Sequence, residues 1–419
     1  MRPRSHFRAV LMTVSVSAAL ILGQAGRASG QDAATGTDWP EYRGPNRDGV
    51  STETGWSTNW PAGGPKVLWK ASVGVGHSSV SVAHEMVCTL GNAGGKDTVY
   101  CFDAATGKVN WQYAYPCAEG MEPGTRMTPT VDDDRVYIFS REGNLFCMDA
   151  AGGQVKWSRN VVQELKARSP RYGYACSPLV VGGMLILETG AQAGSVVALD
   201  KMNGKLLWQS GKDKCGFTSP MIARVGGRDR ILMFAGTGLL GFDAKTGEQL
   251  WREPWEHIIY PNTCASPVVQ GTRVFISTGY KGGGKLLDIA EDKPRLVWQT
   301  DQMNNLFSTC VLWKGCLYGF DGDRDGPAFL RCLDFETGSV KWSQGGLGKG
   351  TLMVADGKLI MMSDSGELVI AEAPPDGYKE LSRAKVLSGL CWTVPVLSHG
   401  RIYCRSLKGE LVALDVHGQ

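Results

Sequence analysis

Several motifs of common chemistries are missing from this chain. Its twelve cysteines form no Cys-x-x-Cys, no Cys-x-x-Cys-His and no adjacent Cys-Cys pair. Zinc-ribbon and c-type haem readings therefore fail. No Gly-x-Ser-x-Gly, His-Glu-x-x-His or phosphate loop is present, so hydrolase and nucleotide readings lack a motif. The longest apolar run, Val10 to Gly23, is too short to span about 30 Å of hydrocarbon. An excess of one charge is missing too. The net charge is +3, but Arg2, Arg4, Arg8 and Arg27 precede residue 30 with no acid among them, leaving −1 for the rest. A near-neutral body with interspersed signs offers no footprint for nucleic acid.

The same N-terminal stretch has the three parts of a secretory signal. A basic start is followed by the apolar run and then by small residues at Ala28-Ser29-Gly30. Residues 1–30 are expected to be a cleaved signal peptide, which places the chain in the periplasm or outside the cell. The region holds no Leu-x-x-Cys lipobox. Export permits disulfides. Cys88 with Cys101 and Cys316 with Cys332 are the pairs expected on adjacent strands, bonded or merely packed together.

What the chain has in quantity is glycine, 55 residues, with 19 prolines. Without a collagen period this implies many tight turns between short strands. Five segments share the spacing Asp-x3-Gly-x3-Trp. They are Asp103, Gly107, Trp111; Asp149, Gly153, Trp157; Asp200, Gly204, Trp208; Asp243, Gly247, Trp251; and Asp334, Gly338, Trp342. The Asp accepts nearby backbone N–H groups and starts a turn. The Gly takes the positive φ, and the Trp lies on the next strand with a large face to bury. Trp69 and Trp298 extend the series, so that tryptophans recur every 42–51 residues. A period of about 45 residues suits one four-stranded propeller blade. Ser-Pro steps at Ser177, Ser219 and Ser266 precede the inner strands, where proline is tolerated because one edge needs no ladder donor.

The expected fold is all-β, an eight-bladed β-propeller of four-stranded antiparallel blades. Seven blades with one malformed is the alternative count. The last blade stops at Asp415 without its fourth strand, while Pro65 to Trp69 reads as an orphan fourth strand. The N-terminal strand is therefore expected to close the ring, which removes exposed edges. Residues 31–64 are expected to form an aromatic strap against the propeller of residues 65–419. A monomer is expected.

The Ala-Leu-Asp-x3-Gly-x3-Trp units resemble the tryptophan-docking repeats of quinoprotein alcohol dehydrogenases and of the outer-membrane assembly factor BamB. The segment Asp38-Trp-Pro-Glu-Tyr-Arg-Gly-Pro-Asn46 resembles the leader of exported bacterial PQQ-binding-like β-propeller repeat proteins. The resemblance spans roughly residues 38 to 416 and implies the scaffold. It implies either of two activities. One is non-enzymatic binding of a protein partner or small ligand, with no cofactor. The other is oxidoreduction with pyrroloquinoline quinone (PQQ), with Trp392 as a stacking surface. The adjacent cysteines and the calcium-ligand set of the dehydrogenases match no motif here.

Loops from each outer strand to the next inner strand converge on one face. The binding residues expected there are His77, Arg126, Arg171, Tyr172, Tyr174, His257, Tyr260, Asn304, Lys349 and Trp392. Arg, Tyr and Asn at such a mouth suit an anionic or peptide-like ligand. Cys176, Cys215, Cys264, Cys310 and Cys391 lie near inner-strand starts. Small buried residues or a thiol or metal site are the two readings of that set.

Overall fold

The computed structural model of the chain describes residues 36–118, 120–122, 124–190, 194–255 and 263–418. The expected signal peptide, His257 and Tyr260 lie outside the described residues. Among the described residues, no helix is long and apolar enough to cross a membrane.

The strands form eight antiparallel sheets, one per blade. Blade 1 is Ser81–Ala83, Met86–Ala93, Lys96–Asp103 and Val109–Pro116. Blades 2 to 7 follow in chain order and end at Glu380–Lys385. Blade 8 is Val396–Ser398, Arg401–Arg405 and Glu410–Asp415, completed by Lys66–Ser72 from the N-terminal region. Lys66 pairs with Asp415 and Trp69 with Ala413. The ring is sealed as the repeat count requires, and no blade is left with a bare third strand.

The repeat residues do two jobs at once. Asp103 Oδ1 accepts the Thr106 N–H at 2.8 Å, and Asp149, Asp200, Asp243 and Asp334 make the same turn. The Gly that follows has φ near 70° in all five. Its missing side chain has a second use, because the tryptophan of the preceding blade lies where a Cβ would be. A Cβ on Gly107 would come within 2.6 Å of the Trp69 ring, and one on Gly153 within 2.5 Å of Trp111. Each indole N–H then donates to that same turn. Trp69 reaches Ala104 O at 3.0 Å, Trp111 reaches Ala150 O at 2.8 Å and Trp298 reaches Phe335 O at 2.9 Å. Every outer strand shifts register just before this residue, Ser382 standing in for tryptophan in blade 7. A β-bulge raises the local twist and re-aims a side chain. Here it turns the indole onto the next blade.

Trp251 is the exception that the sequence explains. The next blade has an altered turn after Asp288 with no glycine in register. Trp251 is still buried, but its Nε1 has no acceptor among the described residues.

The Ser-Pro steps form a belt around the channel. Thr128 N donates to Ser177 Oγ at 2.9 Å, Ser177 N to Ser219 Oγ at 2.9 Å and Ser219 N to Ser266 Oγ at 3.1 Å. Ser266 N continues it to Thr309 Oγ1 at 3.0 Å. The hydroxyl satisfies an amide of the neighbouring blade that the ladder leaves free. The proline beside it is permitted, and the serine is required.

Candidate functional site

The segment from Trp39 to Glu53 crosses the channel at the end away from the converging loops. Trp39 exchanges backbone bonds with Val82 at the far end of an inner strand, and Pro40 O accepts from Val131 N. Arg47 donates to Ser177 O and Pro178 O in blade 3, at 3.0 and 2.9 Å. Arg43 donates to Thr309 O and Cys310 O in blade 6, at 3.2 and 2.8 Å. Val50–Ser51 adds a parallel strand to blade 7, pairing with Val354 and Ala355. Glu53 is fully buried and accepts the backbone N–H groups of His399 and Gly400 in blade 8. The strap therefore turns an open channel into a cup.

The cup has a volume of about 230 Å³. Tyr42 of the strap lines it, with its hydroxyl 3.4 Å from Thr309 Oγ1. The belt residues Thr128, Ser177, Ser219 and Thr309 also line it. On one side stand three stacked rings. Trp392 lies 4.3 Å from Phe307 at 20° and 5.8 Å from His77 at 15°. Trp392, the middle of the three, is half-buried.

Two arginines, Arg126 and Arg324, and one acid, Glu122, line the cup. Arg126 donates to the carbonyls of Gly124 and Glu122 at 3.2 and 2.6 Å. Among the described residues neither arginine has a carboxylate within ion-pair distance. Arg405 lies close behind the wall, fully buried and also bound only to carbonyls and one hydroxyl. Burial, then the charges of Arg126 and Arg405, push His77 down to about 4. His77 is neutral at pH 7 and contributes a ring rather than a charge. Burial, with Arg141 nearby, lowers Arg126 to about 10, still well above neutrality. The cup is cationic at physiological pH.

The structure brings together His77, Arg126, Tyr172 and Trp392 of the expected residues. Arg171 stands exposed beside them, its guanidinium 5.5 Å from the Tyr172 ring centre. Three others go elsewhere. Tyr174 is buried in the core against Phe139, with its hydroxyl on Thr189 O at 2.9 Å. Asn304 spends its amide on Asp321 and Gly283, holding a loop. Lys349 reaches Gly326 O and lines a small pocket on the far side of Phe307 and Trp392 from the cup's other residues, not the cup itself. Sequence reading missed Tyr42, Tyr280, Phe307 and Arg324. Tyr280 and Arg324 sit on hairpin loops between second and third strands, which open on the same face as the outer-to-inner loops. The Gly-rich acidic run around Arg324 is such a hairpin, between Cys316–Asp321 and Phe329–Asp334.

The inner-strand cysteines do not gather at the mouth. Only Cys264 lines the cup, while Cys176 and Cys310 bond Ser177 O and Asn305 Oδ1 inside the blades. Among the described residues, no three His, Cys, Asp or Glu side chains are placed to hold a metal ion.

One buried acid behind the wall has a measurable consequence. Glu188 is fully buried; its Oε1 accepts from Gly216 N at 2.9 Å and its Oε2 has no partner among the described residues. Burial pushes its pKa up to about 8, opposed in part by the Gly216 amide and the Cys215 thiol. A carboxyl raised in the folded state contributes stability that is complete below its unfolded pKa of about 4.3 and is lost as pH rises through 8. Glu188→Gln should therefore match the parent near pH 4 and exceed it by a few kcal/mol, order of magnitude, at pH 9. Urea unfolding at the two pH values reads the difference.

These features define a class, that of the tryptophan-docked eight-bladed β-propellers. The sequence profile described as outer membrane protein assembly factor BamB matches residues 95–344, more than half of the chain, and the chain belongs to that family. No curated protein sequence matches it. Among solved structures it is similar to BamB from Moraxella catarrhalis, with TM-score 0.62 and 16% identity over 84% of this chain and 99% of that one. It is also similar to quinohemoprotein alcohol dehydrogenase from Comamonas testosteroni, with TM-score 0.67 and 12% identity over 91% of this chain and 81% of that one. A europium-containing methanol dehydrogenase gives TM-score 0.67 at 12% identity, covering 88% and 89%. At these identities the likeness is one of fold.

Proposed function

We propose that the chain is an exported, non-enzymatic binding propeller that seats an anionic group of a partner protein in its cup. The observation that carries this is the pair Arg126 and Arg324, which line an aromatic-walled cup with Glu122 as the one acid and form no ion pair with it among the described residues. A guanidinium beside a concave apolar wall recognises a carboxylate through charge-assisted hydrogen bonds. Membership in the BamB family supports a protein partner over a small metabolite.

The rival, a PQQ oxidoreductase, has support from the dehydrogenase neighbours. It requires an aromatic face on which the quinone can stack. Trp392, the expected stacking surface, is already stacked with Phe307 and His77, which disfavours it as a platform for the quinone.

The test is a fluorescence titration of the protein with a short glutamate-containing peptide and with its glutamine counterpart. The acidic peptide should bind and the neutral one should not. Arg126→Gln should weaken binding at least tenfold, about 1.4 kcal/mol, and added salt should weaken it as well. Equal binding of the two peptides would overturn the reading, as would stoichiometric PQQ uptake with reduction of an acceptor dye.

A further inference from the structure

Blade 1 departs from the other blades at one position. In each blade a row of four residues runs from inner to outer strand and ends at the docking position. In blade 2 it is Thr130, Tyr137, Cys147, Trp157. In blades 2 to 8 the second place always holds a large side chain, Tyr, Ile, Leu or Phe. In blade 1 the row is Ser81, Cys88, Cys101, Trp111. Two small thiols occupy the place of bulk, their sulfurs 3.2 Å apart and buried.

The ladder geometry is the one that brings side chains closest. Asn92 spends its N–H and its C=O on Val75, at 2.8 and 2.9 Å, so its pairing with Asp97 is not hydrogen-bonded. The two kinds of pair alternate along an antiparallel ladder. Cys88 is four residues back on the same strand and opposite Cys101, so that pair is also of the non-hydrogen-bonded kind. Such residues have Cα atoms about 4.5 Å apart, inside the roughly 4.4–6.8 Å range of disulfides. Cys316 and Cys332 fail this test. Cys316 faces Asp334, and Cys332 faces Tyr318. Their thiols still meet beside Tyr318, but that diagonal sets the backbones about 7–8 Å apart, beyond the roughly 6.8 Å upper limit for a disulfide's Cα atoms.

We propose that Cys88 and Cys101 are the site of a cross-strand disulfide, the one covalent link among the twelve cysteines. The bond forms by exchange with a disulfide donor. One thiolate attacks a donor sulfur to give a mixed disulfide and release one donor thiol. The second thiolate then displaces the other. The pair gives up two protons and two electrons, and the donor is reduced to two thiols. Both sulfurs are buried in the closed ring, so exchange takes place while blade 1 is still forming.

The full chain is refolded in a buffer of oxidised and reduced glutathione, alkylated under denaturing conditions and mapped by mass spectrometry. The expected product has ten alkylated cysteines of the twelve, a linked peptide joining Cys88 to Cys101, and a mass about 2 Da below the reduced chain before alkylation. The double variant Cys316→Ser, Cys332→Ser should keep that deficit. The double variant Cys88→Val, Cys101→Val refills the row with apolar groups and should lose it. Twelve alkylated cysteines, or a link between any other pair, would overturn the assignment. The result does not depend on whether the cup binds an anion.

Discussion

Trp69→Ala should cost about 3–5 kcal/mol of stability, the range for truncating a buried tryptophan, and should do so at the one seam where the ring is closed by distant parts of the chain. Trp69 belongs to Lys66–Ser72, which completes blade 8, and its ring lies on the Gly107 turn of blade 1. Its indole donates to Ala104 O at 3.0 Å, and the ring touches Phe102 and Tyr403. One side chain thus joins the N-terminal strand, the last blade and the first. Gly107→Ala attacks the same contact from the other side, since the new methyl would sit 2.6 Å from the indole at a φ of 70°. Left-handed backbone costs about 1–2 kcal/mol for a residue with a Cβ, and the clash adds to it. With the indole gone the clash disappears. The double variant should therefore be more stable than the sum of the two single losses predicts, by a coupling of about 1 kcal/mol or more. Denaturant unfolding of all four proteins reads this cycle. Strict additivity would mean that the ring is not held at this contact.

The blades were legible because the repeat residues serve contacts between neighbours in sequence. The turn, the glycine and the indole can all be written as one spacing. The seam was legible by subtraction, since a missing fourth strand at Asp415 and a spare one before Trp69 are complementary. The strap's path was not legible. Arg43 and Arg47 reach carbonyls of blades 6 and 3, and any residue type presents a carbonyl. Glu53 likewise binds two amides. The cup was half legible. Loop membership found Arg126 and Tyr172 but not the direction of the side chain, so Tyr174, two residues on, was misplaced into the mouth when it belongs to the core. Tyr42 was out of reach because it enters the cup from the strap.

Arg405→Met should destabilise the chain by roughly 2–5 kcal/mol, the net of two opposing effects. Along the second strands, the residue two places beyond the row position is apolar in most blades, as at Leu90, Phe139, Phe234 and Phe320. Blade 8 puts Arg405 there, 1% exposed. Removing a buried cation relieves its desolvation, which favours the variant. Removing the guanidinium also strips donors from Gly74 O, Ser78 O and Leu90 O, now at 3.1, 2.8 and 2.6 Å. Leu90 O keeps the Thr125 hydroxyl at 2.9 Å; for the other two, no second donor is seen among the described residues. An orphaned buried carbonyl costs about 1–3 kcal/mol; Ser78 O is buried and Gly74 O half-buried, and their loss together outweighs the relief, because the cation is already well solvated by protein dipoles. Gly74 and Ser78 flank His77, so those bonds hold the linker that carries it. The variant should accordingly loosen the His77 ring from Trp392 and shift tryptophan fluorescence at denaturant concentrations below global unfolding. Arg405→Lys keeps the charge and one or two of the bonds, and should fall between the parent and the methionine variant. A methionine variant as stable as the parent would show that the cation is held for its charge beneath the cup and not for the carbonyls it ties together.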